Sequence, residues 1–198
     1  MKKILSFVTL TAVALTLSAP SAQAEILGWT KTVQLGYSTM TEDGAPSGSI
    51  GGHAGMFAQL HSVIGIGAEA GYHRLGSTTV DLGGGNTGDA TWSTWRFTGN
   101  VMARGITGPF RPYAIGGAGI YPVRFAVDSA TLGSNSTTET KFGFNLGAGA
   151  TFGAPASPVN FGVEARWHSV PSVLDDGSGG SGSTSALDMV TIEAGIFF

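Results

Sequence analysis

Every second residue from Val190 to Phe198 is apolar: Val190, Ile192, Ala194, Ile196 and Phe198, with Thr191, Glu193 and Gly195 between them. A period of two places alternate side chains on opposite faces of a β-strand. Two structures satisfy this pattern. One is a strand of a soluble sandwich with a single buried face; the other is a strand of a closed membrane barrel, with one face on lipid and one on the lumen. Ile196 and the aromatic Phe198 are the candidate C-terminal assembly signal of such a closing strand. The rest of the chain decides between the two.

Lys2 and Lys3 precede an apolar run, Ile4 to Leu17, interrupted only by Ser6, Thr9, Thr11 and Thr16, and Ala22-Gln23-Ala24 offers a small-x-small cleavage site. The run is shorter than the ~20 apolar residues a spanning helix needs. Residues 1–24 are therefore read as a cleaved signal peptide and residues 25–198 as one exported domain. Cysteine is absent, which excludes a thioether-linked lipid anchor, disulfides and thiol catalysis. Charged residues make up 12% of the chain, half the ~25% usual for soluble domains. Without Lys2 and Lys3, eight basic residues face 13 acidic ones, a net charge of −5. Nucleic acid is not an expected partner, because its binding favours basic patches.

Alternation along residues 25–198 gives eight segments: 29–40, 49–60, 63–75, 91–104, 111–127, 140–153, 160–171 and 188–198. Each is long enough for a tilted membrane strand of ~9–11 residues. The expected fold is all-β, an eight-stranded antiparallel transmembrane up-and-down β-barrel. Its lipid face would carry Trp29, Leu35, Ile50, Met56, Ile66, Tyr72, Trp95, Val101, Phe144, Leu146, Phe161 and Trp167. On the fifth segment it would carry Tyr113, Ile115, Tyr121, Val123 and Phe125. The opposite face is polar, and Glu69, Arg96, Arg104, Arg124, Lys141, Glu164, Arg166, His168 and Glu193 form the candidate luminal charge network. His53 and His73 share that face. Gly116, Gly143, Gly147, Gly149, Gly162 and Gly195 would leave room inside for long side chains. Pro122 has no edge strand to occupy, so a bulge or a strand running past the membrane is expected there.

Connections alternate in length. Three are short (61–62, 105–110, 154–159) and four are long (41–48, 76–90, 128–139, 172–187), the pattern of periplasmic turns and extracellular loops. The long ones hold Glu42, Asp43, Asp81, Asp89, Asp128, Glu139, Asp175 and Asp176, and no lysine or arginine. Such loops are either solvated acidic tips or binding elements displayed by a rigid scaffold. As binding elements they would bridge to lipopolysaccharide through divalent cations, or meet a cationic extracellular partner.

The segments Gly108-Pro109-Phe110-Arg111-Pro112-Tyr113-Ala114-Ile115-Gly116-Gly117-Ala118-Gly119-Ile120-Tyr121, Phe142-Gly143-Phe144-Asn145-Leu146-Gly147-Ala148-Gly149-Ala150 and Phe161-Gly162-Val163-Glu164-Ala165-Arg166-Trp167 carry a resemblance. They resemble the small outer-membrane β-barrels of the outer membrane protein A-like, opacity-protein and porin-like superfamily. The resemblance implies a cell outer membrane location, contact with outer-membrane lipid and lipopolysaccharide, and insertion by the barrel-assembly machinery. It identifies an architecture and no particular activity.

Three functions compete. Luminal acids and bases in an eight-stranded barrel, whose interior side chains can fill, would form a salt-bridged plug; a gate or selectivity lining for a small solute is the channel alternative. A lipid-modifying enzyme would need a Ser–His pair within about 2.6–3.2 Å. His168 and Ser169 are adjacent, so on a regular strand they point to opposite faces. No catalytic residue, metal-binding spacing or cofactor motif is assigned. The expectation is a non-enzymatic outer-membrane barrel with a structural, envelope-stabilising or surface-interaction role.

Overall fold

The computed structural model describes residues 28–41, 48–105, 108–130, 133–153, 157–171 and 187–198. The signal-peptide assignment and Glu42, Asp43, Asp175 and Asp176 lie outside the described residues. Eight strands follow in order: β1 Gly28–Met40, β2 Ser49–Gln59, β3 Ile64–Gly83, β4 Asn86–Arg104, β5 Phe110–Ser129, β6 Gly133–Phe152, β7 Asn160–Val170 and β8 Leu187–Phe197. Each pairs antiparallel with the next and β8 pairs with β1, so the sheet closes into a barrel. Closure leaves no unpaired edge through the membrane zone, which lipid would not tolerate.

The outer belt is apolar. Leu35, Ile50, Leu146, Phe161 and Ile192 are each more than 60% exposed, a lipid-facing surface and not a core. Tyr72 and Trp95 (ring centroids 5.1 Å apart) and Phe142 and Phe144 (5.2 Å) pack on it. The inner face buries Gln34, His53, Glu69, Arg96, Asn145, Arg166 and Glu193.

Strand β5 corrects the sequence reading. Tyr113, Ile115, Tyr121 and Val123 are buried inside the barrel, and Ile120 and Arg124 are exposed outside. Phe125 shares the inner phase, its ring tilted against Trp92 at 4.7 Å between centroids. Gly116 faces outward, its nearest side chain being Leu146, whereas Gly117 faces Asn100. The apolar residues were expected on lipid, but the two ends of this lumen are themselves apolar and take them in. Pro122 introduces no bulge: the β4–β5 and β5–β6 registers are unchanged across it, and the β4–β5 pairing merely lapses between Val123 and Ile120.

Two of the long connections are mostly strand. β3 to β6 are 19 or 20 residues long, against 11 to 13 for the other four. Thr78-Thr79-Val80 continues β3, because β-branched residues suit a strand whether or not they are apolar. The hairpin turns at Gly84 and Gly85, φ +64° and +81°, the left-handed conformation that tight two-residue hairpins require. A β-bulge at Leu75 shifts the register, so Ser77, Thr79 and Asp81 continue the outer face. The result is a four-stranded blade rising about 20 Å beyond the barrel rim. Asp81, Asp89, Asp128 and Glu139 therefore lie on strands and not in loops.

Candidate functional site

The lumen is filled in three layers. At the end bearing the short turns, Phe57, Met102, Tyr113, Ile115 and Phe197 form an apolar cluster. At the opposite end, Leu75, Tyr121, Val123, Val170, Leu187 and Met189 form another. Between them lies a buried polar network.

Small residues on facing strands make this filling possible. A Cβ at Gly149 would stand 2.5 Å from the Tyr113 ring, and one at Gly143 3.0 Å from Tyr121. A Cβ at Gly162 would overlap Phe197. At Gly55 and Gly71 it would stand 2.6 Å from Glu69 Cγ and 2.8 Å from Arg96 Nε. The inward glycines thus make room for aromatics as well as for charged chains.

Two arginines organise the network. Arg166 donates from Nε to Glu164 at 2.6 Å, and from both terminal nitrogens to Glu69, the Nη2 bond being 3.3 Å. Arg96 donates to Glu193 at 3.2 Å and to His168 Nε2 at 2.7 Å. Since His168 Nε2 accepts, its Nδ1 carries the proton toward the Tyr121 hydroxyl at 3.2 Å. His53 lies between two acids, with Nε2 3.1 Å from Glu69 and Nδ1 3.1 Å from Glu193. Asn100 donates to Glu69 at 2.6 Å and accepts from Asn145 at 2.9 Å; Tyr113 donates to Glu164 at 3.0 Å. A buried charge is tolerable only when paired and hydrogen-bonded, and each of these three acids has an arginine.

Six of the nine expected network residues are brought together: Glu69, Arg96, Glu164, Arg166, His168 and Glu193. Three are not. Arg124 lies outside. Lys141 lies midway along β6, partly exposed and 3.4 Å from Glu139. Arg104 lines a cavity of about 190 Å³ at the short-turn mouth and donates to Thr30 at 3.3 Å. The sequence reading set His53 on the luminal face but did not name it among the charged network, and it put Tyr113 and Tyr121 on lipid. The aromatic–glycine pair Tyr113 and Gly149, directly opposed on β5 and β6, is the signal that could have revealed an inward tyrosine.

His53, Glu164 and Glu193 each offer one potential ligand atom within 4.8 Å of the others. The Arg96 and Arg166 guanidiniums already occupy the space around these acids, so the acids are satisfied by arginine and the donor set does not suit a metal ion. His168 and Ser169 fall on opposite faces, so the hydroxyl beside that imidazole is Tyr121 and not Ser169.

An apolar belt on a closed antiparallel ring of eight strands defines a small outer-membrane β-barrel of the outer membrane protein A-like and porin-like kind. The chain belongs to the outer membrane protein beta-barrel domain family, which it matches over residues 9–196. No curated protein matches it. Neisserial surface protein A has a similar structure, with 11% identity over 85% of this chain and 95% of that one, TM-score 0.57. A major outer membrane protein from Thermus thermophilus is similar at 14% identity over 86% and 99%, TM-score 0.52. Ail, the attachment invasion locus protein of Yersinia pestis, solved with the heparin analogue sucrose octasulfate, is similar at 19% identity over 87% and 100%, TM-score 0.51. At such identities the likeness is one of fold.

Proposed function

We propose that this integral outer-membrane protein is a sealed, non-enzymatic barrel that works as a rigid mount for an extracellular interaction blade. The observation that carries the reading is the unequal strand length among the described residues: β3 to β6 continue as a paired sheet beyond the ends of the other strands. The filled lumen supports a holding role over a conducting one. A scaffold that displays exposed binding elements is a common division of labour.

The blade's outer face carries Asp81, Asp89 and Asp128, all exposed, with Asp89 directly opposite Asp128. Its partner chemistry is therefore cationic, unlike the sulfated ligand bound to Ail. The test compares the intact protein with a variant whose residues 77–91 and 126–136 are each replaced by a short Asn-Gly turn. Both are immobilised in detergent and offered a lysine-rich peptide and a heparin fragment. Retention of the peptide by the intact barrel alone is expected. Equal retention by the trimmed barrel, or preference for heparin, would overturn the reading.

A further inference from the structure

The outer face of β3 to β6 changes character in steps along the barrel axis. One row holds Phe97 and Ile120, with Phe142 beside Ile120 on β6. The next row holds Tyr72 and Trp95, which close the apolar belt. Immediately above it, Arg74, Ser93 and Arg124 stand in register on β3, β4 and β5, and Thr138 follows on β6. Both arginines are exposed, and neither is ion-paired among the described residues. The carboxylates on the same face, Asp89 and Asp128, lie four residues further along, about 13 Å away.

We infer that Arg74 and Arg124 form a lateral site for the phosphorylated headgroup of an outer-leaflet glycolipid, with Tyr72, Trp95, Phe97 and Ile120 beneath them receiving its acyl chains. The inference rests on the outer-membrane orientation used above, in which the short turns are periplasmic, and it is separate from the blade's partner. Aromatic side chains mark the interface depth of membrane barrels, which puts the arginines at the level of lipid headgroups. They are two strands apart, about 10 Å between their backbones, so two long side chains bracket Ser93 and can each reach one phosphate. Arginine matches phosphate geometry with paired donors. Away from carboxylate partners, these guanidiniums are available for that contact.

The experiment places wild type, Arg74→Gln, Arg124→Gln and the double variant in phosphatidylcholine nanodiscs. Each contains a minor fraction of bis-phosphorylated lipid A, of the same lipid A after phosphatase treatment, or of phosphatidylglycerol. Lipid retained on the released protein is measured by native mass spectrometry, with folding checked by heat-modifiable migration. Wild type should retain the phosphorylated lipid A preferentially, each single variant should lose about fivefold of that preference, and the double variant should lose it altogether. Equal retention of phosphorylated and dephosphorylated lipid by wild type would overturn the site. So would equal retention of phosphatidylglycerol, which would indicate only a generic anionic surface. Should the double variant not fold, the wild-type comparison across the three lipids still decides. The blade-trimmed protein, which keeps both Arg74 and Arg124, should retain the lipid preference even if the blade proves to have no partner.

Discussion

Arg166 on β7 and Glu69 on β3 meet across the lumen, the arginine donating to the carboxylate through both terminal nitrogens. Its Nε meanwhile holds Glu164, two residues away on its own strand. Glu69 also accepts from Asn100 and lies beside His53, so it joins groups from β2, β3, β4 and β7. Among the described residues, Glu164 joins β7 to Tyr113 on β5 and to no further strand by a hydrogen bond. The two acids are unequal.

Breaking a buried ion pair by removing one partner costs about 3–5 kcal/mol. Glu69→Ala is expected at the top of that range, because it removes at once the acceptor of both Arg166 terminal nitrogens and of Asn100 and the acid beside His53 Nε2. Glu164→Ala should cost less, since Arg166 keeps Glu69. Urea unfolding of both variants in the same detergent measures the difference. Equal costs would show that the cross-lumen link adds nothing to the local pair.

The β1–β8 seam that closes the barrel ends at Lys31 and Phe198, whose backbones exchange both hydrogen bonds at 2.6 and 2.9 Å. The Lys31 ammonium also lies 5.8 Å from the Phe198 ring centroid, within cation–π range. Phe198→Leu keeps the two backbone bonds and loses the ring; deleting Phe198 loses everything. If closure is what matters, the deletion should lower the yield of heat-modifiable protein far more than the substitution. Equal losses from the two would assign the effect to aromatic recognition during assembly.

The inward phase of β5 makes a sharp forecast at two adjacent glycines. At Gly116 an added Cβ meets only Leu146 Cδ1 at 3.4 Å and a carbonyl oxygen at 3.5 Å; at Gly117 it runs into the side chain of Asn100 and the backbone of Gly99. Gly116→Ala should fold normally and Gly117→Ala should not. On the neighbouring strand, Leu146→Arg should destabilise by about 2–4 kcal/mol, the midplane cost of arginine on lipid. Folding yields reading the other way at the two glycines would restore the opposite phase.

How much of this was legible in the sequence depended on how far the faces differ. On β1 and β6 one face is apolar and the other largely polar or small, and Leu35 and Leu146 lie outward as alternation requires. On β5 both faces are apolar or glycine, so period two gives an alternation without a direction. The charged pair Glu164 and Arg166 could be placed inside, since both alternate with Val163, Ala165 and Trp167. Their partners on other strands could not, because registers across a barrel depend on bulges such as that at Leu75. The blade was hidden for a different reason. Its strands are built from serine, threonine and aspartate, which period-two hydrophobicity does not detect.

Conductance depends on more than the charged layer. An ion crossing the lumen would pass Tyr113, Ile115 and Phe197 at one end and Leu75, Tyr121 and Met189 at the other. Apolar constrictions oppose ion passage by excluding water, so each end is a barrier independent of the network between them. Wild-type protein in planar bilayers is therefore expected to show no large steady conductance. Glu164→Ala should lower stability without opening the barrel, because both apolar layers survive it. Tyr121→Ala with Met189→Ala should leave the barrel closed as well, since the Phe197 end is intact. Only a variant thinned at both ends, with Tyr113→Ala and Phe197→Ala added, is expected to conduct. A steady current through the wild type, with ion selectivity altered by Glu164→Ala at little cost in stability, would make the network a pathway lining and the sealed reading wrong.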